Sequence, residues 1–290
     1  MSVPSVSIIL PTYNRARTLR RAAVSVLQQS FGDFELIIVD DASTDHTLDL
    51  IAELKDDRIS VLRHPARRGG SAARNTGLAA ARADWIAFQD SDDEWMPSKL
   101  EEQMNALTGG GDVCYTGLIY FDGKTSEYIP NAAVKNRQGS ILDELLQGNF
   151  VSTQTLVVKH LLLKQAGGFD ESLPRYQDWD LVIRLARNSP FVLLDRPLVT
   201  VYQTPGNISS HLEYDLIARE RILQKYAEIF AAWPEIASDH YFALSRIASR
   251  LNKPQEARRF ARAALTINPK RWKNWAVLAD AHLRVRLAKS

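Results

Sequence analysis

The chain has 290 residues, 45% hydrophobic and 24% charged, enough to bury the core of one large or two small domains. Lys and Arg outnumber Asp and Glu by 36 to 34, and the composition excludes collagen-like, mucin-like and acidic disordered chains. One cysteine, Cys114, excludes an internal disulfide, and no run approaches the roughly 18 apolar residues of a membrane span. The near-neutral total hides an asymmetry. From Arg246 to Ser290 twelve Lys and Arg stand against Glu256 and Asp280, a local charge of +10 that leaves −8 on the first 245 residues. Such a basic segment either meets anionic lipid or an acidic partner, or is a solvated helix face; nucleic acid is not expected as a partner.

Val6–Leu10 lacks a basic leader and reads as a first strand rather than a signal peptide. A cytoplasmic protein is expected, with peripheral contact at the inner face of the cell membrane through the basic C-terminal helices. Apolar runs at Val6–Leu10, Leu36–Asp40, Ile59–Arg63 and Trp85–Gln89 alternate with helical patterns at Arg17–Gln29, Thr44–Leu54 and Ser71–Arg82. This alternation predicts an α/β fold with a mostly parallel central sheet flanked by helices. Pro11 is expected to end the first strand, and Ser43 or Thr44 to cap the second helix. Ligand chemistry belongs at the carboxyl ends of such strands.

After a helix near Ser98–Leu107 and Gly109-Gly110-Gly111, the pattern turns mixed. Strands are predicted at Val113–Phe121, Thr155–Lys159, Phe191–Leu194 and Leu198–Tyr202, with helices near Ile141–Leu146 and Asp178–Arg187. Beyond residue 210 the periodicity is helical and broken by Pro234, Pro254 and Pro269. The expected organisation is a catalytic domain over residues 1–210 and a helical extension over 211–290. Around 238–270, Tyr241, Leu244, Ala248, Ala257, Ala261, Ala264 and Pro269 fall in the register of a tetratricopeptide helix pair, with Ser245 where that repeat prefers Gly. A plain helical cap accounts for the same alanines.

No G-x-G-x-x-G, P-loop or G-x-S-x-G occurs, and Cys and His are too scattered for a zinc cluster. The informative residues are acids. Asp40-Asp41 close the second apolar run and Asp90-Ser91-Asp92-Asp93 the fourth. Crowded carboxylates repel unless a cation or hydrogen-bond donors neutralise them. A hard divalent ion, Mn2+ or Mg2+, is expected, with coordination positions open to phosphate oxygens.

Five segments occur in a telling order: Pro11-Thr12-Tyr13-Asn14, Val39-Asp40-Asp41-Ala42-Ser43-Thr44-Asp45, Ala73-Arg74-Asn75-Thr76-Gly77, Asp90-Ser91-Asp92-Asp93 and Gln177-Asp178-Trp179-Asp180. Over about residues 5–210 they resemble family 2 glycosyltransferases of GT-A fold. That resemblance implies metal-dependent, inverting transfer from a nucleoside-diphosphate sugar, with a UDP-sugar as the expected donor, to a glycan or lipid-linked acceptor in cell-surface polysaccharide assembly. It makes Pro11, Thr12, Tyr13 and Asn14 the edge of the nucleotide pocket. Asp41 then reads the base, Asp90 faces the ribose, Asp92 holds the metal, and Asp178 is the catalytic base. Arg74 and Asn75 suit phosphate and sugar, and His211 stands where some relatives place a third metal ligand.

The family commonly has Glu where Gln177 stands, so the base motif rests on Asp178, with helix capping as the alternative role. Trp179 and Arg184 lie beside acceptor or nucleotide, or in the core or on the surface. Asn268-Pro269-Lys270-Arg271-Trp272 only partly matches the Gln-x-x-Arg-Trp of processive synthases, which points to transfer of a single sugar. A nucleotidyltransferase and a non-catalytic nucleotide-binding scaffold acting through the tail are the competing readings.

Overall fold

The computed structural model describes residues 3–203 and 211–287. The chain divides into two compact units, Met1–Glu171 with Gln177–Pro205, and Ser172–Tyr176 with Gly206–Ser290.

In the first unit, strands β1 (Val6–Thr12), β2 (Phe34–Asp40), β3 (Ile59–Arg63) and β4 (Trp85–Phe88) are connected through helices α1 (Leu19–Leu27), α2 (Thr47–Glu53) and α3 (Gly70–Ala80). They lie side by side in the order β3-β2-β1-β4, all parallel. Every residue of β1 and β2 is buried, which is why both read as nearly unbroken apolar runs. The first helix buries Leu19, Ala22, Ala23 and Val26, the i, i+3, i+4, i+7 face, against that sheet. Because β2 and β3 extend one way from β1 and β4 lies on its other side, the order reverses at β1. In open α/β sheets the crevice at that switch point is where ligands sit.

The rest of the unit is mixed. It comprises β5 (Glu94–Trp95), α4 (Lys99–Thr108), β6 (Val113–Phe121), β7 (Ser126–Ile129), α5 (Leu142–Gln147), β8 (Leu156–Lys159), α6 (His160–Ala166), α7 (Gln177–Ala186) and β9 (Phe191–Tyr202). Antiparallel β8 joins β4 to β6, β9 runs parallel to β6, and β5 and β7 pair antiparallel with β9 and β6. Cys114 is fully buried in β6.

Three local expectations are corrected. Pro11 does not end β1, which continues to Thr12 in register with Asp40. Pairing with β4 stops at Ile9, and Pro11 faces that side, so its missing N–H leaves no gap in the ladder. Ser43 and Thr44 do not cap α2. Their hydroxyls face Asn14, while Asp45 accepts from the Thr47 amide at 3.0 Å as an Asx turn just before the helix. The two strands expected around Asp195-Arg196-Pro197 are one strand, whose register against β6 jumps from Thr116↔Leu194 to Gly117↔Pro197. The bulge absorbs Asp195 and Arg196, and Asp195 accepts from the Tyr128 hydroxyl at 2.6 Å.

Helix α3 comes so close to β1 that a Cβ on Gly77 would lie 2.5 Å from Ile9 Cγ2. Gly77→Ala is therefore expected to cost about 1–3 kcal/mol of stability through overpacking, read as a lower urea midpoint.

The second unit contains α8 (Leu212–Lys225), α9 (Ala227–Ala231), α10 (Pro234–Arg250), α11 (Pro254–Ile267) and α12 (Trp272–Leu287). Pro234 and Pro254 occupy first-turn positions, where a missing N–H costs nothing. Leu244, Ala248, Ala257, Ala261 and Ala264 are all buried between the helices. Ser245 fits there because its hydroxyl donates to the Ala257 carbonyl at 2.8 Å. Among the described residues no helix is long and apolar enough to cross a membrane.

Candidate active site

The ends of β1, β2 and β4 present Pro11–Asn14, Asp40-Asp41 and Asp90–Asp93 along one edge of the parallel sheet. Asn14 and Ala42 hold positive φ, 50° and 62°, a conformation Asn tolerates and Ala adopts only when its surroundings impose it. Asn14 clasps the β2 end: its side-chain Oδ1 accepts from Thr44 N at 2.8 Å while its backbone N–H donates to Ser43 Oγ at 2.9 Å. Tyr13 lies under the Arg67 guanidinium, 4.2 Å from the ring centroid. Thr12 is buried, and its hydroxyl has no hydrogen-bond partner among the described residues.

Asp41 is buried and bound by the β3–α3 loop. Its Oδ1 faces His64 Nδ1 at 2.7 Å and accepts from Arg68 N at 2.8 Å; Oδ2 accepts from Gly69 N at 2.7 Å. Gly69 has φ +95°, which glycine adopts without strain. Those three donors leave one lone-pair direction of the carboxylate, on Oδ2. His64 is itself held by Thr76 Oγ1 at 2.9 Å.

Asp90 pairs with Arg74 of α3 at 2.5 Å, and Arg74 Nε is buried without a partner among the described residues. Asp92 Oδ2 lies 3.3 Å from Arg15, and its backbone carbonyl accepts from Arg21. Asp93 is buried and braces the turn, accepting from Gln154 Nε2 at 2.8 Å and Tyr202 N at 3.2 Å. Burial, together with the charges of Asp90 and Asp92, pushes the Asp93 carboxyl well up. That rise is the counterpart in the fold of the repulsion expected in this run of acids.

Asp178 lies in the first turn of α7, close enough to feel the charges of both Arg74 and Asp90. Asn149 Nδ2 donates to its Oδ2 at 2.8 Å, and the Trp179 amide to its Oδ1 at 2.8 Å. Burial raises its pKa; the Trp179 amide and Arg74 pull against that rise. The structure thus brings Arg74, Asp90 and Asp178 into one cluster, although α3, β4 and α7 are far apart in sequence.

The remaining expected site residues have partners of their own. Asn75 is committed to the loop after α6: it donates to Phe169 O and Glu171 Oε1, both at 2.9 Å, and accepts from Phe169 N at 2.8 Å. Trp179 is core, with its indole N–H donating to Leu145 O at 2.6 Å, and Arg184 pairs with Asp180 at 2.6 Å. His211 belongs to the second unit, exposed beside Tyr214 with ring centroids 5.2 Å apart; residues 206–210 before it lie outside the described residues. No group of three or more His, Cys, Asp or Glu gathers as a ready-made metal cage among the described residues.

The sequence profile of Glycosyl transferase family 2 matches residues 7–160, more than half of the chain. The chain belongs to this family. Among the relatives of this glycosyltransferase is the amylovoran biosynthesis glycosyltransferase AmsB of Erwinia amylovora, 30% identical over 71% of this chain and 72% of the relative. A second is the Escherichia coli UDP-Glc:alpha-D-GlcNAc-diphosphoundecaprenol beta-1,3-glucosyltransferase WfgD, 42% identical over 35% of this chain and 40% of the relative. In two of the curated relatives it matches, the chain spans 66% and 40% of their length. The crystal structure of Staphylococcus aureus TarS 1-349 in complex with UDP-GlcNAc superposes with a TM-score of 0.67 at 18% identity, covering 98% of this chain and 92% of that one. At that identity the likeness establishes the shared fold.

Sequence reasoning missed four residues of this glycosyltransferase's candidate site: Arg15, Arg21, His64 and Asn149. Arg15 directly follows the first motif, which was a usable signal. Asn149 and His64 sit in unremarkable loop sequence, and only the fold brings them to Asp178 and Asp41.

Proposed function

We propose that this glycosyltransferase transfers one sugar from a nucleoside-diphosphate sugar, with UDP as the nucleotide, to a hydroxyl of a glycan or lipid-linked acceptor, with inversion at the anomeric carbon. The reaction would serve cell-surface polysaccharide assembly at the cytoplasmic face of a membrane. The observation that carries this reading is the cluster of Asp178 with the Arg74–Asp90 pair at the carboxyl edge of the parallel strands. AmsB, named as an amylovoran biosynthesis glycosyltransferase, and WfgD, named as a glucosyltransferase between UDP-Glc and alpha-D-GlcNAc-diphosphoundecaprenol, support it.

The one lone pair left on Asp41 Oδ2 suits a single N–H of a pyrimidine base, and Tyr13 directly follows Thr12, whose carbonyl accepts from Asp41 N at 2.8 Å. Asp90 is left to meet the ribose. Arg74, whose Nε–H is buried and unpaired among the described residues, suits an anionic diphosphate. Asp92 fits a divalent cation. It is a hard oxygen donor at a crowded acidic turn, and Mg2+ or Mn2+ typically takes one or two carboxylates and completes its shell with phosphate oxygens and water, so no three-residue cage is needed. When bound there, the ion would supply Lewis-acid stabilisation of the departing diphosphate. His211 as a further ligand of that ion remains a proposal, tested by whether His211→Ala alters metal dependence.

Asp178 accepts the proton of the acceptor hydroxyl. Asn149 and the Trp179 amide fix both carboxylate oxygens, so the base is oriented before substrate arrives. Attack from the face opposite the diphosphate is a single displacement and inverts the anomeric centre.

The test is release of nucleoside diphosphate from a panel of UDP-, GDP- and dTDP-sugars with Mn2+ or Mg2+, for the native protein beside Asp92→Ala. Release from a UDP-sugar that vanishes with Asp92→Ala is expected. Absence of binding to any nucleoside diphosphate under either metal would move the assignment to a scaffold. Pyrophosphate released from a nucleoside triphosphate would make it a nucleotidyltransferase.

A further inference from the structure

Helix α12 is apolar on two opposite sides. Its inner side buries Val277, Ala281 and Val285, and Asn274, which donates to Ser238 Oγ at 2.9 Å and Ala264 O at 3.0 Å. The opposite side carries Trp272, Trp275, Ala276, Ala279 and Leu283, at helical spacings of three, four, seven and eleven from Trp272. All five are exposed, with Trp272 at 72%, Trp275 at 57% and Leu283 at 57% of their surface. An amphipathic helix needs one apolar stripe; a second one facing water marks a surface meant to be covered.

Charge identifies the cover. From Asn268 to Ser290 the sequence holds Lys270, Arg271, Lys273, Arg284, Arg286 and Lys289 against Asp280 alone, a net +5. Beside the stripe, exposed Arg246 and Arg250 of α10 line a cleft with Ser249 and Asp280. A second copy of this chain would bring two such basic rims together, which like-charge repulsion opposes. A surface that is apolar within and anionic at its boundary matches both features. Indole rings are well suited to that boundary, where an amphipathic ring lies at headgroup level and Lys and Arg reach the anionic groups.

We infer that the outer face of α12 docks on an anionic lipid surface, with Trp272, Trp275 and Leu283 inserted at the interface and the exposed Lys270, Lys273, Arg246 and Arg250 on the headgroups. This deepens the proposed function, since it would keep the enzyme on the surface that carries a lipid-linked acceptor. It also gives Lys270-Arg271-Trp272 a role unrelated to processive synthesis: these residues open the docking helix.

The experiment is sedimentation of the full-length protein with phosphatidylcholine vesicles, with and without one-quarter phosphatidylglycerol, at low and high salt. The comparison proteins are Trp272→Ser/Trp275→Ser and, separately, Leu283→Ser. Binding that requires the anionic lipid, weakens with salt and falls about tenfold or more in the double variant is expected. Unchanged thermal melting shows that the variants fold. Equal sedimentation with neutral and anionic vesicles, or no loss in either variant, overturns the inference. A concentration-dependent dimer abolished by the same substitutions, without vesicle binding, would instead assign the stripe to self-association. Nucleotide release from a soluble donor, measured on the same proteins, reads the catalytic proposal separately, because it requires no vesicle.

Discussion

Asp178→Asn is expected to lower kcat by about 10²–10⁴-fold, the range for loss of a general base, while donor affinity stays near that of the native protein. The carboxylate and the carboxamide have nearly the same shape, so the pocket is kept, but the carboxamide can accept from only one of the Asn149 and Trp179 donors and no longer accepts a proton. The pH dependence adds a signature. The base works ionised, and burial raises its pKa above the ordinary aspartate value, so activity should be lost as pH falls through a point above ~3.9. Asn149→Ala removes a donor that favours the carboxylate. Its acid limb of kcat/KM should therefore move to still higher pH. Persistence of turnover in Asp178→Asn, or an unmoved acid limb in Asn149→Ala, would place the base elsewhere.

The second large effect concerns Lys99, which the catalytic reading does not use. It is fully buried in α4, its Nζ 2.6 Å from Gln103 Oε1 and 3.8 Å from the centroid of the Trp95 ring. No carboxylate pairs with it among the described residues. Burial pulls its pKa down from 10.5 to about 7. Between those values the unfolded chain binds a proton that the folded chain does not, so stability should climb with pH across the window and level off below about 7. The slope is at most about 1.4 kcal/mol per pH unit. Lys99→Met removes it. The variant gives up the hydrogen bond to Gln103, about 1–3 kcal/mol for a buried acceptor left unsatisfied. It is nonetheless expected to be the more stable protein at pH 7 and the less stable one above about pH 10.5, where the unfolded lysine also loses its proton. Urea unfolding of both proteins at several pH values reads the difference. The buried tyrosines titrate alike in both and cancel; Cys114, whose thiol burial pushes up to about 11, interacts with Lys99 and shares in the difference. Parallel curves for the two proteins would show that Lys99 is charged in the folded state.

The Lys99 environment also shows why a lysine sits there. Gln103, held by Lys99, donates to Thr155 O at 2.9 Å and Cys114 O at 3.2 Å, and Trp95 donates to Gln154 O at 3.0 Å. Gln154 then reaches Asp93 at 2.8 Å. This buried polar network ties α4 to the acidic turn. Nothing in the local sequence distinguishes Lys99 from a surface lysine of an amphipathic helix.

What the sequence by itself determined was local and periodic. Alternating apolar runs and helical patterns specify the parallel half of the sheet, because side-chain period and burial on both faces are properties of short segments. The acids at the ends of β2 and β4 and the Asp178 segment were legible as ordered motifs, as was the helical tail with prolines opening α10 and α11. The tertiary structure decided which groups meet. The β3–α3 loop occupies all but one lone-pair direction of Asp41, α3 delivers Arg74 to Asp90 and Asp178, and Asn75 holds the loop after α6. The bulge in β9 and the outward apolar stripe of α12 likewise depend on what packs alongside. Those outcomes follow from strand register and from how close the helices approach the sheet, distances set by packing between segments remote in the chain.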